Sequence, residues 1–304
     1  MTVLPELPEP LHRLVITVTD SYTVLTEHQR PSNMRPSVWE IQGPGQQRWF
    51  AKEHVGPKLH GREVDAYTNW TYLLGDGRAP QLAAADPATR TVVITAVPGH
   101  SLDDLRLPAA EEREAYRQAG ALLARLHAAV DAPAAYETTP VTDPAAWTNS
   151  VERLLNAAAP HLPAADVSLL RALLGRVPPQ QPLALTHGDY MPKNWLWDSA
   201  EQFLRIIDFE RTCRDVPARI DFARLTFRRL RQRPDLENAF WSGFGRSLSD
   251  EEELACRVHA AVDALDSLVW GIEHHDLGLV EEAHTMVENL RHVHARHLWA
   301  GGVA

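Results

Sequence analysis

The chain has 304 residues and a formal net charge of −10, a balance that argues against a nucleic-acid partner. No apolar stretch approaches the roughly 18 residues of a membrane span, and the N-terminus lacks the basic and apolar segments of a secretory signal. The two cysteines, Cys213 and Cys256, are too few for a disulfide framework. We therefore expect a cytoplasmic protein without a membrane partner, long enough for two domains or lobes.

The first hundred residues predict a small antiparallel sheet with helices. Apolar periodicity predicts a short helix over Pro10–Ile16 and a second helix over Gly61–Leu74. Runs rich in β-branched, aromatic and apolar residues predict five strands, at Tyr22–Thr26, Ser37–Gln42, Arg48–His54, Gln81–Ala85 and Thr91–Thr95. The segment Gln42-Gly-Pro-Gly45 has the composition of a hairpin turn.

Beyond residue 100 the chain is rich in Ala and Leu and is predicted to be mainly helical. Helices are predicted over Tyr116–Val130, Trp147–Ala158, Ala165–Leu174 and Ile220–Leu230, with two or three more over Leu236–Trp299. Two short apolar runs, Pro182–Thr186 and Phe203–Ile207, predict buried strands within this helical part. The sequence therefore predicts an α+β protein.

Each of these two apolar runs leads into a polar motif. The first motif is His187-Gly-Asp-Tyr-Met-Pro-Lys-Asn194, and the second is Ile206-Ile-Asp-Phe-Glu210. Phosphoryl transfer from a nucleotide needs a carboxylate that accepts a proton from the attacking hydroxyl, and oxygen ligands that hold Mg²⁺. Asp189 can be this base, while Asn194 and Asp208 can share the metal ion. A carboxylate at the mouth of a buried strand is costly unless a cation lies beside it.

Lysine is rare in this chain, with three lysines against 27 arginines. A sequence that otherwise uses Arg for positive charge keeps Lys where a compact ammonium group is needed. Lys52 lies in the third predicted strand. Lys193 lies inside the first motif, where it faces either the γ-phosphate or solvent.

The two motifs resemble those of the aminoglycoside phosphotransferase and choline kinase family, the small-molecule branch of the protein-kinase-like fold. Protein kinases carry His-Arg-Asp and Asp-Phe-Gly at the corresponding places. The segment Asp215-Val-Pro-Ala-Arg-Ile-Asp-Phe-Ala223 is similar to a third motif of the family, although Arg214 stands where the family has Gly. The resemblance extends from about residue 20 to the C-terminal helices.

This resemblance implies a bilobal, protein-kinase-like α+β fold. Residues 1–96 would form a small N-lobe that binds the nucleotide with an antiparallel sheet and one helix. Residues 97–100 would form the hinge, and residues 101–304 a larger, mostly helical C-lobe with the catalytic loop and the acceptor pocket.

The resemblance also implies roles for individual residues. Lys52 would contact the phosphates of ATP or GTP and would be held by an ion pair with Glu63, for which Asp65 is the alternative. His187 would orient the catalytic loop without exchanging protons. Further implied roles are phosphate contacts by Ser32 and Asn33 in the glycine-poor loop 27–36, contacts to the base by Ala96, Val97 and Pro98, support of Asp208 or of a second metal by Glu210, and bracing of the catalytic loop by Asp221.

The acceptor is expected to be a small polar molecule with a hydroxyl group, and an antibiotic is the first choice. Acidic residues outnumber basic ones in the C-terminal region, for example at Asp263 and Asp266, so we expect a cationic acceptor. The alternatives are a metabolite kinase for choline, a sugar or an amino alcohol, and a nucleotide-binding regulator without catalysis. A monomer and a homodimer are both compatible with the sequence.

Overall fold

The structure is a computed structural model that describes residues 6–28, 38–129, 136–138 and 143–300, with residues 295–300 described by their backbone alone. The strands are β1 (Thr23–His28), β2 (Val38–Gln42), β3 (Arg48–Glu53), β4 (Leu82–Asp86), β5 (Thr91–Thr95), β6 (His100–Ser101), β7 (Ala184–Thr186), β8 (Trp195–Asp198), β9 (Phe203–Ile206) and β10 (Cys213–Asp215). The helices are α1 (Glu9–Val15), α2 (Pro57–Asn69), α3 (Ala109–His127), α4 (Pro144–Ala158), α5 (Ala164–Leu174), α6 (Ala223–Arg228), α7 (Pro234–Phe244), α8 (Asp250–Glu273) and α9 (Leu277–Ala300). The α+β class is therefore confirmed.

The predicted antiparallel sheet is present and has five strands in the order β1-β2-β3-β5-β4. Its central strand, β3, pairs Lys52 with Val38 on one side and with Val92 on the other. Helix α1 joins the core of this sheet through Leu11 and Val15, both fully buried. The apolar alternation of the strands therefore supplies one packed face, and β3 holds Lys52 firmly between two neighbours.

The helices near the sheet differ from their predicted bounds. Helix α2 begins at Pro57, four residues before the predicted start at Gly61, because proline is favourable in the first turn of a helix. It ends at Asn69, and a 3₁₀ turn follows over Thr71–Leu74. The short helix predicted over Pro10–Ile16 is present as α1, so this part of the chain contains α1 in addition to α2.

A second, three-stranded sheet connects the two polar motifs. Strand β8 pairs with β6 and with β9, all antiparallel, and β8 was not predicted from the sequence. The first motif ends at Asn194, directly before β8, and Asp208 follows two residues after β9 ends. The backbone N–H of Ile207 donates a hydrogen bond to the carbonyl oxygen of Asn194 at 3.0 Å. The β8–β9 hairpin therefore brings both motifs to the same end of this sheet.

Packing divides the chain into two compact units. The first comprises Met1–Glu111, Asp131–Tyr136 and His187–Cys213, so it contains the five-stranded sheet and both polar motifs. The second comprises Glu112–Val130, Glu137–Thr186 and Arg214–Ala304. Its main helices are α8 and α9, which pack against each other, while α4, α5 and α6 also pack against α8. The predicted lobe boundaries at residues 96 and 100 stay a prediction.

Among the described residues, no helix combines the length and the apolar character that a membrane crossing requires.

Candidate active site

Lys52 is surrounded by three carboxylates within the first unit. Its Nζ atom lies 2.8 Å from Glu63 Oε2, 3.0 Å from Asp208 Oδ1 and 3.4 Å from Glu210 Oε2. Strand β3 supplies the lysine, α2 supplies Glu63, and the segment after β9 supplies the other two carboxylates. Burial by itself lowers the pKa of Lys52, but the charges of Asp208, Glu63 and Glu210 outweigh burial and hold this pKa well above its ordinary value. The lysine is therefore a buried, permanently charged ammonium group.

Glu63 has a second partner that the sequence analysis did not predict. The Nε2 atom of His54 lies 2.5 Å from the same Glu63 Oε2 atom that contacts Lys52. The other ring nitrogen of His54, Nδ1, lies 3.2 Å from the carbonyl oxygen of Arg90. Side chains two residues apart on a strand point to the same side, and the predicted strand Arg48–His54 contains both Lys52 and His54, so their spacing was the available signal. The two side chains hold one carboxylate oxygen together.

His187 fixes the conformation of the first motif. Its Nε2–H donates to the carbonyl oxygen of Ile207 at 3.0 Å, and its Nδ1 accepts from the backbone N–H of Asp189 at 3.3 Å. Because a carbonyl oxygen can only accept and a backbone N–H can only donate, these contacts specify the neutral tautomer with its proton on Nε2. The ring is thus built into the loop as a structural link.

Gly188 has a backbone conformation that requires glycine. Its φ is +86°, and a Cβ atom added there would lie 2.5 Å from the carbonyl oxygen of Arg211. A residue with a side chain would be strained by the left-handed conformation and would also collide with the backbone of Arg211. This explains in physical terms why the motif reads His-Gly-Asp in this chain.

The side chain of Asp189 is 10% exposed, and two side chains of its own loop contact it. Its Oδ2 atom lies 2.8 Å from Lys193 Nζ. The sequence analysis expected Lys193 to face either the γ-phosphate or solvent and did not predict this contact with Asp189. Asn194 Nδ2 donates to the carbonyl oxygen of Asp189 at 2.9 Å and approaches Asp189 Oδ2 at 3.4 Å. These contacts fix the amide of Asn194 and make its Oδ1 atom the one that can serve as a ligand.

Asp208 and Phe209 anchor the second motif. Asp208 has a φ of +67°, a conformation that Asp tolerates better than most residues with a side chain. The fully buried ring of Phe209 contacts the ring of His187 at a centroid distance of 4.9 Å and the ring of Tyr67 at 5.4 Å. Burial, with the nearby charges of Glu63 and Asp208, raises the pKa of Tyr67, so its phenol stays neutral. The ring of Phe209 therefore connects the two motifs and α2.

The residues at this site fit a Mg²⁺ ion. Mg²⁺ prefers oxygen ligands and is usually held by one or two carboxylates together with phosphates and water. Asn194 and Asp208 supply such oxygens. Glu63, Asp208 and Glu210 place three negative charges around the single positive charge of Lys52, and a divalent cation would compensate the excess.

The predicted hinge residues differ in the backbone groups that they can offer to a base. Ala96 N–H donates to the carbonyl oxygen of Arg48 at 2.9 Å. Pro98 has no N–H, and its carbonyl oxygen accepts from Arg205 Nη1 at 3.3 Å. Within the described ranges, neither the N–H nor the carbonyl of Val97 makes a backbone hydrogen bond. Of these three residues, Val97 is therefore the one whose backbone N–H and carbonyl both lie outside these hydrogen bonds.

Some predicted site residues are not part of this cluster. Ser32 and Asn33 lie outside the described residues. Asp65, the alternative partner of Lys52, accepts hydrogen bonds from side chains four and five residues further along the chain. Asp221 is buried in the second unit, where its Oδ2 atom lies 2.9 Å from Nε2 of His127. Its predicted role as a brace of the catalytic loop stays a prediction.

Solved structures with the same fold include enzymes that act on different small molecules. The complex of an aminoglycoside phosphotransferase with GDP and kanamycin is 17% identical, with 92% of this chain and 97% of that chain covered and a TM-score of 0.62. A macrolide 2'-phosphotransferase type I is 16% identical, with 93% and 97% covered and a TM-score of 0.58. A spectinomycin phosphotransferase in complex with ADP and spectinomycin is 12% identical, with 94% and 93% covered and a TM-score of 0.60. These identities are low, so the likeness concerns the fold.

A search of curated protein sequences gave no match. The sequence profile of the phosphotransferase enzyme family matches residues 29–257, which is most of the chain and includes both polar motifs. The chain therefore belongs to the phosphotransferase enzyme family.

Proposed function

We propose that this protein transfers the γ-phosphoryl group of ATP or GTP to a hydroxyl group of an antibiotic, which would confer resistance. The observation that carries the proposal is the position of Lys52 between Glu63 and Asp208, at 2.8 and 3.0 Å. A lysine held by a glutamate beside a metal-binding aspartate is the arrangement that binds nucleotide phosphates in kinase-like enzymes. The GDP and ADP bound in similar structures support a nucleotide donor.

In the proposed reaction, the hydroxyl oxygen of the acceptor forms a bond to the γ-phosphorus as the bond from that phosphorus to the bridging oxygen breaks. Asp189 accepts the proton of the hydroxyl group, and the nucleoside diphosphate leaves with the bridging oxygen. Lys193, 2.8 Å from Asp189, holds the carboxylate in position before the acceptor binds. His187 keeps its loop in place through a neutral ring and exchanges no proton.

The remaining residues position the donor. Lys52 offsets the charge of the phosphates, and Glu63 aligns Lys52. Asn194 and Asp208 would hold Mg²⁺, which when bound withdraws negative charge from the transferred phosphoryl group. Glu210 supports Asp208 through their shared contact with Lys52. In this proposal Ser32 and Asn33 contact the phosphates, and Val97 contacts the base. Asp221 braces the catalytic loop.

The class of acceptor is inferred from the small molecules that similar enzymes bind or modify. Similar structures contain kanamycin and spectinomycin, and one is a macrolide phosphotransferase. Antibiotics are therefore the first choice, ahead of choline, sugar or amino-alcohol metabolites. The carboxylate of Asp263, which suggested a positively charged acceptor in the sequence, is paired with two arginines. Both cysteines are free and buried, which favours a reducing compartment such as the cytoplasm.

The test is a phosphorylation assay with a broad acceptor panel. The purified protein is incubated with Mg²⁺, ATP or GTP, and antibiotics and amino-alcohol metabolites, and mass spectrometry identifies any compound that gains a phosphoryl group. Asp189→Asn is the control and should lower kcat by about 10²- to 10⁴-fold while nucleotide affinity changes little. Normal turnover in Asp189→Asn would exclude Asp189 as the base. Nucleotide binding without any phosphorylated compound would favour the regulator hypothesis.

A further inference from the structure

The second unit contains a cavity of about 310 Å³ that has no assigned role. Its walls come from α4, from α8, from the segment before β7 and from the segment after β10. This volume lies at the lower end of the range, roughly 300–1,000 Å³, that small-molecule sites occupy. Such sites are typically apolar with a few convergent polar groups, and the lining residues decide which molecule can bind.

Much of the cavity wall is apolar. The indole N–H of Trp147 donates to the carbonyl oxygen of Leu174 at 3.0 Å, so the indole contributes mainly ring surface to the lining. Val216, Ile220 and Val262 add aliphatic surface. A ligand ring would gain favourable burial against these side chains.

The charged side chains in the wall compensate one another. Arg224 Nη2 lies 2.5 Å from Asp263 Oδ1, and Arg228 Nη2 lies 2.8 Å from Asp263 Oδ2. Arg219 Nε is bonded to Asp215 Oδ1 at 2.9 Å. The remaining acid, Asp266, has its pKa raised by partial burial and by the charge of Asp263. These three arginines and three aspartates balance in number, and among the described residues Asp266 is the one acid of this group without an arginine partner, so the cavity lacks the cluster of carboxylates that a polyamine would require.

Two polar groups in the wall are available to a ligand. Gln181 Nε2 is buried and has no hydrogen-bond partner among the described residues, a costly arrangement for a donor unless a ligand satisfies it. The structure, over its described ranges, gives the side chain of His259 no hydrogen bond. Burial, together with the positive charge of Arg219, lowers the pKa of His259 to about 4. Its ring is therefore neutral near pH 7 and offers one donor and one acceptor.

We propose that this cavity binds an uncharged, ring-bearing molecule with an oxygen atom that accepts a hydrogen bond from Gln181. The apolar walls hold the ring, and the side chains of Gln181 and His259 orient it. The ion pairs occupy Asp263 and leave a cationic group only Asp266, whose pKa is raised. Identification of this molecule as the phosphoryl acceptor rests on the proposed function, whereas its binding does not. The expected acceptor is therefore uncharged where it occupies the cavity, in contrast to the cationic acceptor predicted from the sequence.

A matched pair of probes tests the charge preference. The compounds 4-(hydroxymethyl)benzamide and 4-(hydroxymethyl)benzamidine have nearly the same shape, but the first is neutral with a carbonyl oxygen and the second is a cation. Ligand-observed NMR titrations of the full-length protein should show at least about tenfold tighter binding of the amide, because the cation would lose its hydration and could pair only with Asp266, whose raised pKa disfavours its charged form. Equal or tighter binding of the amidine would overturn the proposal.

Two variants test whether binding occurs in this cavity. Val262→Phe places a ring in the cavity and should abolish binding of the amide. Gln181→Leu removes the donor and should weaken this binding about tenfold. Leu277→Phe is the matched control, because it adds the same ring at a highly exposed position of the same unit. Circular dichroism establishes that each variant is folded.

The outcomes separate this inference from the proposed function. Binding of the amide that both cavity variants leave unchanged would overturn the cavity assignment, and so would failure of the amide and of related uncharged ring amides to bind. Mg²⁺ and ATP are then added, and phosphorylation of the amide hydroxyl is measured by mass spectrometry. Phosphorylation that Val262→Phe and Asp189→Asn each abolish supports both proposals. Specific binding without phosphorylation supports the cavity assignment and counts against its role as the acceptor site.

Discussion

The Nε2 atom of His54 and the Oε2 atom of Glu63 lie 2.5 Å apart, and neither side chain is accessible to solvent. The same Oε2 atom contacts Lys52 Nζ at 2.8 Å. A carboxylate that pairs with a lysine alone could rotate, whereas a second buried partner fixes its orientation. We infer that Glu63 and His54 together position Lys52, which we propose binds the nucleotide phosphates, and that His54 is thus a positioning residue.

Replacement of His54 should therefore affect nucleotide binding. His54→Leu leaves Glu63 with one partner fewer, so we expect the KM for ATP to rise about tenfold and the free energy of unfolding to fall by about 1–3 kcal/mol. His54→Gln retains a donor and should recover part of both effects. Steady-state kinetics and urea unfolding measure them. An unchanged KM in His54→Leu, with only stability reduced, would show that the contact is merely structural.

Lys52→Met should destabilise the protein without nucleotide, and Mg²⁺ should raise the Tm of this variant more than it raises the Tm of the wild type. The substitution leaves three neighbouring carboxylates without their shared ammonium group, and loss of one partner from a buried ion pair typically costs about 3–5 kcal/mol. A divalent cation would compensate part of this charge. Thermal unfolding with and without Mg²⁺ should show a larger rise in Tm for Lys52→Met than for the wild type. Equal responses to Mg²⁺ would contradict a cation site at these carboxylates.

Gly188→Ala should destabilise the protein more than Gly45→Ala does. Both glycines have positive φ, +86° and +69°, but a Cβ atom at Gly45 meets nothing within 4 Å, whereas at Gly188 it lies 2.5 Å from a backbone oxygen. The left-handed conformation alone costs about 1–2 kcal/mol, and the collision at Gly188 adds to that. Urea unfolding of both variants measures the difference. Similar losses of unfolding free energy in the two variants would mean that the backbone at Arg211 moves away from the added Cβ atom at little cost.

The lowered pKa of His259 should make stability depend on pH. Burial and Arg219 lower this pKa to about 4 in the folded protein, against about 6.5 in an unfolded chain. The folded state prefers the neutral ring, so this stability is fully present above about pH 6.5 and is lost as the pH falls towards 4. The difference between these two pKa values corresponds to about 3 kcal/mol of unfolding free energy. Urea unfolding at pH 7.5 and 4.5 should show a smaller pH-dependent loss in His259→Phe than in the wild type. Equal losses in the two proteins would show that His259 does not contribute.

The sequence alone determined the elements and the chemistry that depend on local pattern. Period-two runs predicted the strands of the five-stranded sheet, and period-3.6 runs predicted most helices, because side-chain direction within an element follows from its backbone geometry. The spacing of Asp189, Asn194 and Asp208 indicated phosphoryl transfer, since metal and base must lie close to one another. Strands β6, β8 and β10, of two to four residues, were not predicted from the sequence.

Only the tertiary structure decided which side chains meet. The contact of His54 with Glu63, and that of Lys193 with Asp189, depend on how strands, helices and loops pack. The clearest case is Asp263, which counted as a free negative charge in the sequence but lies between Arg224 and Arg228 in the structure. Pairing between distant segments is set by packing, and the net charge of a sequence segment does not reveal it. For this reason the sequence indicated the reaction, whereas the charge of the proposed ligand cavity followed from the fold.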